Sequence, residues 1–322
     1  MFSDESLATS SSRQHIELVL RVARSYYLED KTQAQIARDI GYSRPTVSRL
    51  LKESRDSGMV HISIGHELER IRKLEKELER RFGLKHVRVA TVNEGESSGQ
   101  VVPRYAAALF CELCKPDSLV TVSNGRAVAA TVHEMPICEW PKSNVAQMIG
   151  ALSPDNPMID SPDICRMLAS RLGGTFTALP VPMILSNAKI ANSMRKEPQI
   201  ATALALGGGA DIAIVGVGAA TENRLGHIFD EYVDPVTART LHKRGVVGHI
   251  CGHLINAEGE HIHSDLCERT ISIDIERLKK IPMVIGVAWG PTKVNAIHAC
   301  LVGHLISALV TDQKTAEALL EI

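Results

Sequence analysis

From Val87 onward the chain repeats one pattern: a short run rich in Val, Ile and Ala, then glycine or polar residues, then a helix-like segment. The runs are HVRVATV (86–92), SLVTVS (118–123), NVAQMIG (144–150), DIAIVGVG (211–218), PMVIGVAWG (282–290) and LISALVTD (305–312). Apolar runs of this length, separated by helical segments, suit strands covered on both faces, and such strands need helical crossovers. Residues 83–322 are therefore expected to form an α/β domain with a largely parallel sheet. In such sheets ligands bind at the carboxyl ends of the strands, on the loops that lead into helices. The loops that stand out are SNGRA (123–127), GVGAATENR (216–224), AWGPTK (288–293) and VTDQ (310–313).

The first 82 residues follow a different pattern. QHIELVLRVARSYYLED (14–30) carries Ile16, Val19, Leu20, Ala23 and Tyr27 at helical spacing. KTQAQIARDIGYS (31–43) predicts a shorter helix opened by Thr32, with Gln35 placed for a capping box and Gly41 as its end. In YSRPTVSRLL (42–51), Ser43 is a helix cap and Pro45 suits a first turn, while Val47, Leu50 and Leu51 recur at the spacing of a buried face. Two short helices around a glycine turn, the second opening on Arg, Ser and Thr, predict a helix-turn-helix reader of the DNA major groove. Arg can pair with guanine, hydroxyls can reach base edges or phosphates, and the helix N-terminus favours phosphate. The residues assigned to DNA are Gln33, Ser43, Arg44, Pro45, Thr46, Ser48, Arg49 and Lys52. A surface helix hairpin would explain the caps and the apolar face, but not the polar selection at one end.

SGMVHISIG (57–65) alternates apolar and polar residues and suggests a wing strand. ELERIRKLEKELERRFGL (67–84) has Leu68, Ile71, Leu74, Leu78 and Phe82 along one stripe, either a dimer seam or a face packed on its own domain. The expected division is a winged helix-turn-helix domain over 14–66, a connecting helix over 67–82 and the α/β domain over 83–322, with residues 1–13 disordered.

The whole chain has 36 Lys and Arg against 37 Asp and Glu, so any affinity for DNA must come from a local patch. Residues 43–55 supply one, with Arg44, Arg49, Lys52 and Arg55 against Glu53. The polar start MFSDESLATSSSRQ is unlike a signal peptide, and no run reaches the roughly 18 apolar residues of a membrane span, so a cytoplasmic location is expected. Seven scattered cysteines argue against a disulfide framework and are expected to be buried thiols.

VSNGRAVAATV (122–132) puts a glycine and Arg126 where a strand turns into a helix, and GPTKVNAI (290–297) repeats this with Thr292 and Lys293. Backbone N–H groups and cations there could hold a phosphate or a hydroxyl-rich ligand. Arg126, Lys293 and Asp312 come from three such loops and are expected to converge on one polar ligand.

TQAQIARDIGYSRPTVSRLLKESRDSGMVHI, LEKELERRFGLKHVRV and IGVAWGPTKVNAIHACLVGHLISALVTDQKTAEALL together resemble the SorC family of bacterial transcriptional regulators, in family order and over nearly the whole chain. The resemblance implies an N-terminal DNA-binding domain joined to a sugar-binding domain related in fold to sugar-phosphate isomerases. It implies dimers or tetramers whose binding to operator DNA responds to a sugar, a polyol or a sugar phosphate. Carried onto this chain, the ligand loop falls on Ser123, Asn124, Gly125, Arg126 and Ala127, with Lys293 and Asp312 matching further family positions. The chain departs from the family at Ala127, usually threonine, at Asn124, often tryptophan, and at His249, usually acidic. The effector residues are thus Ser123, Asn124, Gly125, Arg126, His249, Thr292, Lys293 and Asp312.

His249, Cys251 and His253 alternate along an apparent strand, with His261 and His263 after the turn INAEG (255–259). A turn over Asn256–Gly259 would pair His253 with Ile262 and put His261 and His263 on the opposite face, against a zinc site. No metal and no cofactor are expected. CELC (111–114) lacks a second pair and is assigned to apolar packing. An isomerase- or deaminase-like enzyme is the alternative function, with Asp312 and His249 as acid or base. It leaves the reader helix without a purpose, and no paired carboxylate motif is present.

Overall fold

The structure is a computed structural model that describes residues 4–60, 67–93, 95–152 and 160–322. It divides into two compact units, Met1–His66 and Glu67–Ile322. The first holds α1 (Asp4–Tyr27), α2 (Gln33–Ile40) and α3 (Arg44–Asp56). α1 begins at Asp4, well before the expected start at residue 14, so the segment expected to be disordered is largely helical. Val19, Val22, Ile36, Ala37, Val47, Leu50 and Leu51 form its core. The wing expected over 57–65 falls mostly outside the described residues.

The second unit opens with α4 (Glu67–Phe82), β1 (His86–Ala90), α5 (Ser98–Leu113), β2 (Leu119–Val122), α6 (Arg126–His133) and β3 (Asn144–Gln147). It continues with α7 (Ser161–Leu172), β4 (Thr175–Thr177), α8 (Ala188–Lys196), α9 (Pro198–Gly208), β5 (Ile212–Ala219) and α10 (Pro235–Lys243). The rest is β6 (Gly248–Ile250), β7 (His253–Ile255), α11 (Asp265–Arg269), α12 (Ile275–Lys280), β8 (Met283–Val287), α13 (Val294–Val302), β9 (Ala308–Asp312) and α14 (Gln313–Glu321). Each of the six apolar runs carries a strand, and among the described residues no helix is long and apolar enough to cross a membrane.

The main sheet has the order β1-β9-β8-β5-β2-β3-β4 with every pair parallel. After β2 the chain winds outward to β3 and β4, and after β5 it winds the other way to β8 and β9. Successive strand residues serve opposite faces. Ala213, Val215 and Val217 of β5 join one core, while Ile212 and Ile214 join the other. Full burial of side chains of this size stabilises by about 1.5–3 kcal/mol each.

The six runs do not account for β4, β6 and β7. β6 and β7 form an antiparallel hairpin that continues from the end of β5. The turn is Cys251–Gly252, both at positive φ (49° and 80°), as in a two-residue type I′ hairpin. The single strand expected from His249 to His253 is therefore two strands.

The stripe of α4 is used within its own unit, where Ile71, Leu78 and Phe82 are buried against the sheet core. α4 also closes the free edge of β1: Val87 N–H donates to Glu79 Oε1 at 3.0 Å and Val89 N–H to Glu75 Oε1 at 2.8 Å. Burial raises the Glu75 carboxyl above its ordinary range. A carboxyl raised in the folded state costs stability once ionised, while its oxygen still serves the strand edge. Glu75→Gln keeps the acceptor and removes the charge, so urea melts at pH 7 should show equal or greater stability. Glu75→Ala leaves the Val89 N–H unpaired and should cost about 1–3 kcal/mol.

Candidate functional site

Thr32 and Gln35 form the capping box that opens α2, and Gly41 ends it at φ 71°. Ser43 caps α3, accepting from Thr46 N–H at 3.3 Å, and its hydroxyl lies 2.8 Å from Thr46 Oγ1. These two hydroxyls therefore hold the turn as well as facing outward. Arg44, Pro45, Ser48, Arg49 and Lys52 are exposed, and Gln33 and Thr46 are half-buried. His15 bonds Glu53 at 2.7 Å, and Arg55 donates to the Tyr27 hydroxyl at 3.2 Å, so Arg55 serves the helix packing. Arg44, Arg49 and Lys52 form no ion pair among the described residues. Tyr42, 49% exposed beside the cap, is a surface aromatic that the sequence reading passed over.

In the second unit a cavity of about 340 Å³ lies where β2 and β5 part, at their carboxyl ends. Ser123, Asn124, Gly125, Arg126, His249, Thr292 and Lys293 all line it. Ser123 is buried and its Oγ accepts from Gly216 N–H at 3.3 Å, tying the two strands at the mouth of the gap. Asn124, also buried, sits on Met183, with Nδ2 at 3.7 Å from Sδ. Gly125, Gly226 and Gly290 share one backbone geometry, φ 108°, 108° and 101° with ψ 163°, 161° and 149°. Side chains rarely reach this region, so glycine is required at each of these turns into helix.

Asp312 is elsewhere. It ends β9, beyond the β8 loop, and its carboxylate caps α14, accepting from Thr315 N–H at 2.8 Å and from Ser98 Oγ at 2.5 Å. It borders a separate hollow beside Trp289, so the expected convergence of Asp312 with Arg126 and Lys293 is overturned. An Asp at a strand-to-helix junction met the demand of the helix end first.

The sequence reading singled out the loop 216–224 and the stretch around Cys251 but gave Thr221, Arg224 and Cys251 no place in the wall, and it passed over His227. Thr221, Arg224 and His227 lie on the long polar loop after β5, whereas Cys251 comes from the β6–β7 turn. Arg224 and His227 both bind Asp230, through Arg224 Nε at 2.6 Å and His227 Nδ1 at 3.1 Å. Among the described residues Arg126 and Lys293 have no ion pair and no carboxylate lines the wall. Burial first, then the Arg126 charge, holds the Lys293 ammonium below its ordinary range.

His249 is buried in the wall with neither ring nitrogen partnered. Its ring meets Phe229 edge-on with centroids 5.0 Å apart. It occupies space that Gly218 and Gly226 leave: a Cβ on either would stand 1.9 or 2.5 Å from Nε2. Burial, then the Lys293 charge, lowers its pKa to about 3.

The other histidines also depart from expectation. Ile255 bridges His261 and Ile262 N–H donates to Leu254 O, a register one residue away from the expected one. A one-residue slip turns every side chain over. The rings of His253 and His261 therefore meet at 5.0 Å, and those of His261 and His263 at 4.6 Å. Even so, among the described residues no three His, Cys, Asp or Glu side chains are arranged to hold a metal ion. All seven cysteines are free, but Cys111, Cys138 and Cys267 are only half-buried, fewer buried thiols than expected.

The folded protein holds protons on His249 and His261 less tightly than the unfolded chain, with pKa values of about 3 and about 4 against an ordinary 6.5. Stability is thus complete above pH 6.5 and lost as pH falls toward these values. The melting temperature should drop between pH 6.5 and 4, and His249→Asn should flatten that drop. Gly218→Ala should displace the ring and lower the melting temperature at neutral pH.

Residues 66–321 match the family described as "Putative sugar-binding domain". The chain is 31% identical to the sorbitol operon regulator of Klebsiella pneumoniae, covering 95% of this chain and 98% of the relative. It is 30% identical to the deoxyribonucleoside regulator of Bacillus subtilis, covering 95% and 98%. The crystal structure of the full-length Klebsiella regulator superposes with a TM-score of 0.75 over 95% of this chain and 99% of that one. The chain belongs to the SorC family of sugar-binding transcriptional regulators.

Proposed function

We propose that α3 reads operator DNA of a carbohydrate-utilisation operon, and that a sugar, polyol or sugar phosphate in the β2–β5 cavity changes that binding. The observation that carries the effector half is the pair Arg126 and Lys293, unpaired in a wall that also offers Ser123, Asn124, Thr221 and Thr292. Charge-assisted bonds from such cations suit phosphate or hydroxyl oxygens, and the amide and hydroxyl groups suit sugar hydroxyls. The exposed Arg44, Arg49 and Lys52 support the DNA half. The protein acts as a cytoplasmic homodimer or homotetramer, since paired half-sites need two reading heads. The domain division is a reader over 14–66, a connecting helix over 67–82 and an effector domain over 83–322. The chain is a sensor and not an enzyme: among the described residues no carboxylate lines the cavity to serve as base, and Asp312 is committed to a helix cap.

Operator binding followed by fluorescence anisotropy, with sugars, polyols and their phosphates titrated in, tests both halves. Lys293→Ala should bind operator like the wild type and lose the effector response. Arg49→Ala should lose roughly 1–3 kcal/mol of specific binding if it contacts a base, with relaxed preference at one operator position. A ligand that binds yet leaves operator affinity unchanged would refute sensing, and recovery of that ligand chemically altered would favour the isomerase-like alternative.

A further inference from the structure

We infer that Cys111 and Cys138 form a redox site, a dithiol that a hydroperoxide closes to a disulfide between α5 and the loop after α6. Both cysteines are half-buried and pack against the same core, whereas Cys165, Cys251 and Cys300 are buried inside the unit. Cys111 lies two residues before the end of α5. Cys138 lies on the surface stretch 136–140, where Pro136, Ile137 and Glu139 are exposed.

The two thiols stand within hydrogen-bonding reach of each other. Main-chain bonds to the end of α7 fix the loop that carries Cys138. Its N–H donates to Arg171 O at 2.7 Å and Trp140 N–H to Leu172 O at 2.8 Å, while Arg171 Nη1 donates to Met135 O at 3.2 Å. The third thiol nearby is committed elsewhere: Cys114 is buried, and its Sγ donates to Lys115 O at 3.6 Å. Apolar packing asks only for small side chains at these positions, not for two adjoining sulfurs.

The geometry also orders the chemistry. Burial, then the charge of Cys138, pushes the Cys111 thiol up to about 11, so it stays protonated and meets an oxidant slowly by itself. Cys138 reacts first. Its thiolate attacks the O–O bond of hydrogen peroxide, which leaves a sulfenic acid on Cys138 and releases water once the departing hydroxide is protonated. Cys111 sulfur then attacks the Cys138 sulfur, the S–O bond breaks, and the Cys111 proton leaves with that hydroxyl as a second water. The two sulfurs lose two electrons and the peroxide gains them. A small dithiol reverses the step by exchange, so in a reducing compartment the bond is transient. α6 starts at Arg126 in the cavity wall and runs into this loop, so the disulfide ties the far end of that helix to α5.

The test uses the full-length protein and hydrogen peroxide. Two of the seven thiols should be lost, and a non-reducing gel should keep the product at the mass of one chain. Peptide mass spectrometry should find Cys111 joined to Cys138 with the loss of two hydrogens, and dithiothreitol should restore both thiols. The melting temperature should rise on oxidation and return on reduction. Cys111→Ser should leave a sulfenic acid on Cys138 that dimedone labels, and Cys138→Ser should abolish both link and label. Cys114→Ser should cross-link like the wild type. In urea the Cys111–Cys138 pairing should lose its dominance over other pairings. Seven thiols surviving peroxide, a link from Cys111 to Cys114, a link between two chains, or an unlabelled Cys138 in Cys111→Ser would each overturn the inference. Should a serine variant fail to fold, the wild-type peptide map decides alone.

Discussion

The site depends on one topological constraint. A parallel sheet must return each strand through a crossover, so all its strand-to-helix loops lie at one end, and a gap opens where two neighbouring strands send their crossovers in opposite directions. Here β2 and β5 are those neighbours, bonded through Val120–Val122 and Ile212–Ile214 before their loops diverge. Arg126 follows one strand, Gly216 to Ala219 end the other, and Lys293 arrives from β8 on the far side of β5. A residue one strand further out, Asp312 on β9, does not reach the gap although it follows an equivalent strand end.

Glycine sets how closely the backbone approaches that gap. The matching conformations at Gly125, Gly226 and Gly290 turn three loops sharply into helix, and Gly218 and Gly226 omit the side chains that the His249 ring would otherwise strike. The same absence of side chains explains the exposure of polar wall groups to the cavity. The apolar core of the unit offsets the cost of half-burying Lys293 and fully burying His249, with Val217 of β5 and its partner Ile250 of β6 buried near the same strand ends.

Much of this was legible in the sequence because it rests on local rules. The capping box at Thr32–Gln35, the Ser43 cap and the Val47, Leu50, Leu51 face follow from residue type and spacing, and the six apolar runs each became a strand. Seven of the eight proposed effector residues line one cavity. What was not legible depends on three-dimensional neighbours. The turn at Cys251–Gly252 hides inside an apolar stretch because a non-glycine residue takes positive φ there, and one residue of register decides whether His261 joins His253. The role of Asp312 was ambiguous in the same way: an acidic residue before a helix serves a ligand or a cap, and Ser98, distant in sequence, completes the cap. The contribution of Arg224 was masked by Asp230, six residues on, which takes its charge out of play.

The edge of the sheet answers a different demand with the same chemistry. Outside β1 the backbone N–H groups of Val87 and Val89 need acceptors, and an unprotected edge would invite another strand. Glu79 and Glu75 of α4 supply them, so the helix is anchored by hydrogen bonds as well as by Ile71, Leu78 and Phe82. Acidic side chains thus serve the strand edge and the helix caps, at Glu75, Glu79 and Asp312, while among the described residues none lines the cavity. Glu75, Glu79 and Asp312 satisfy backbone donors and Asp230 meets Arg224 and His227, which leaves Arg126 and Lys293 as the cations of the cavity without an ion pair among the described residues.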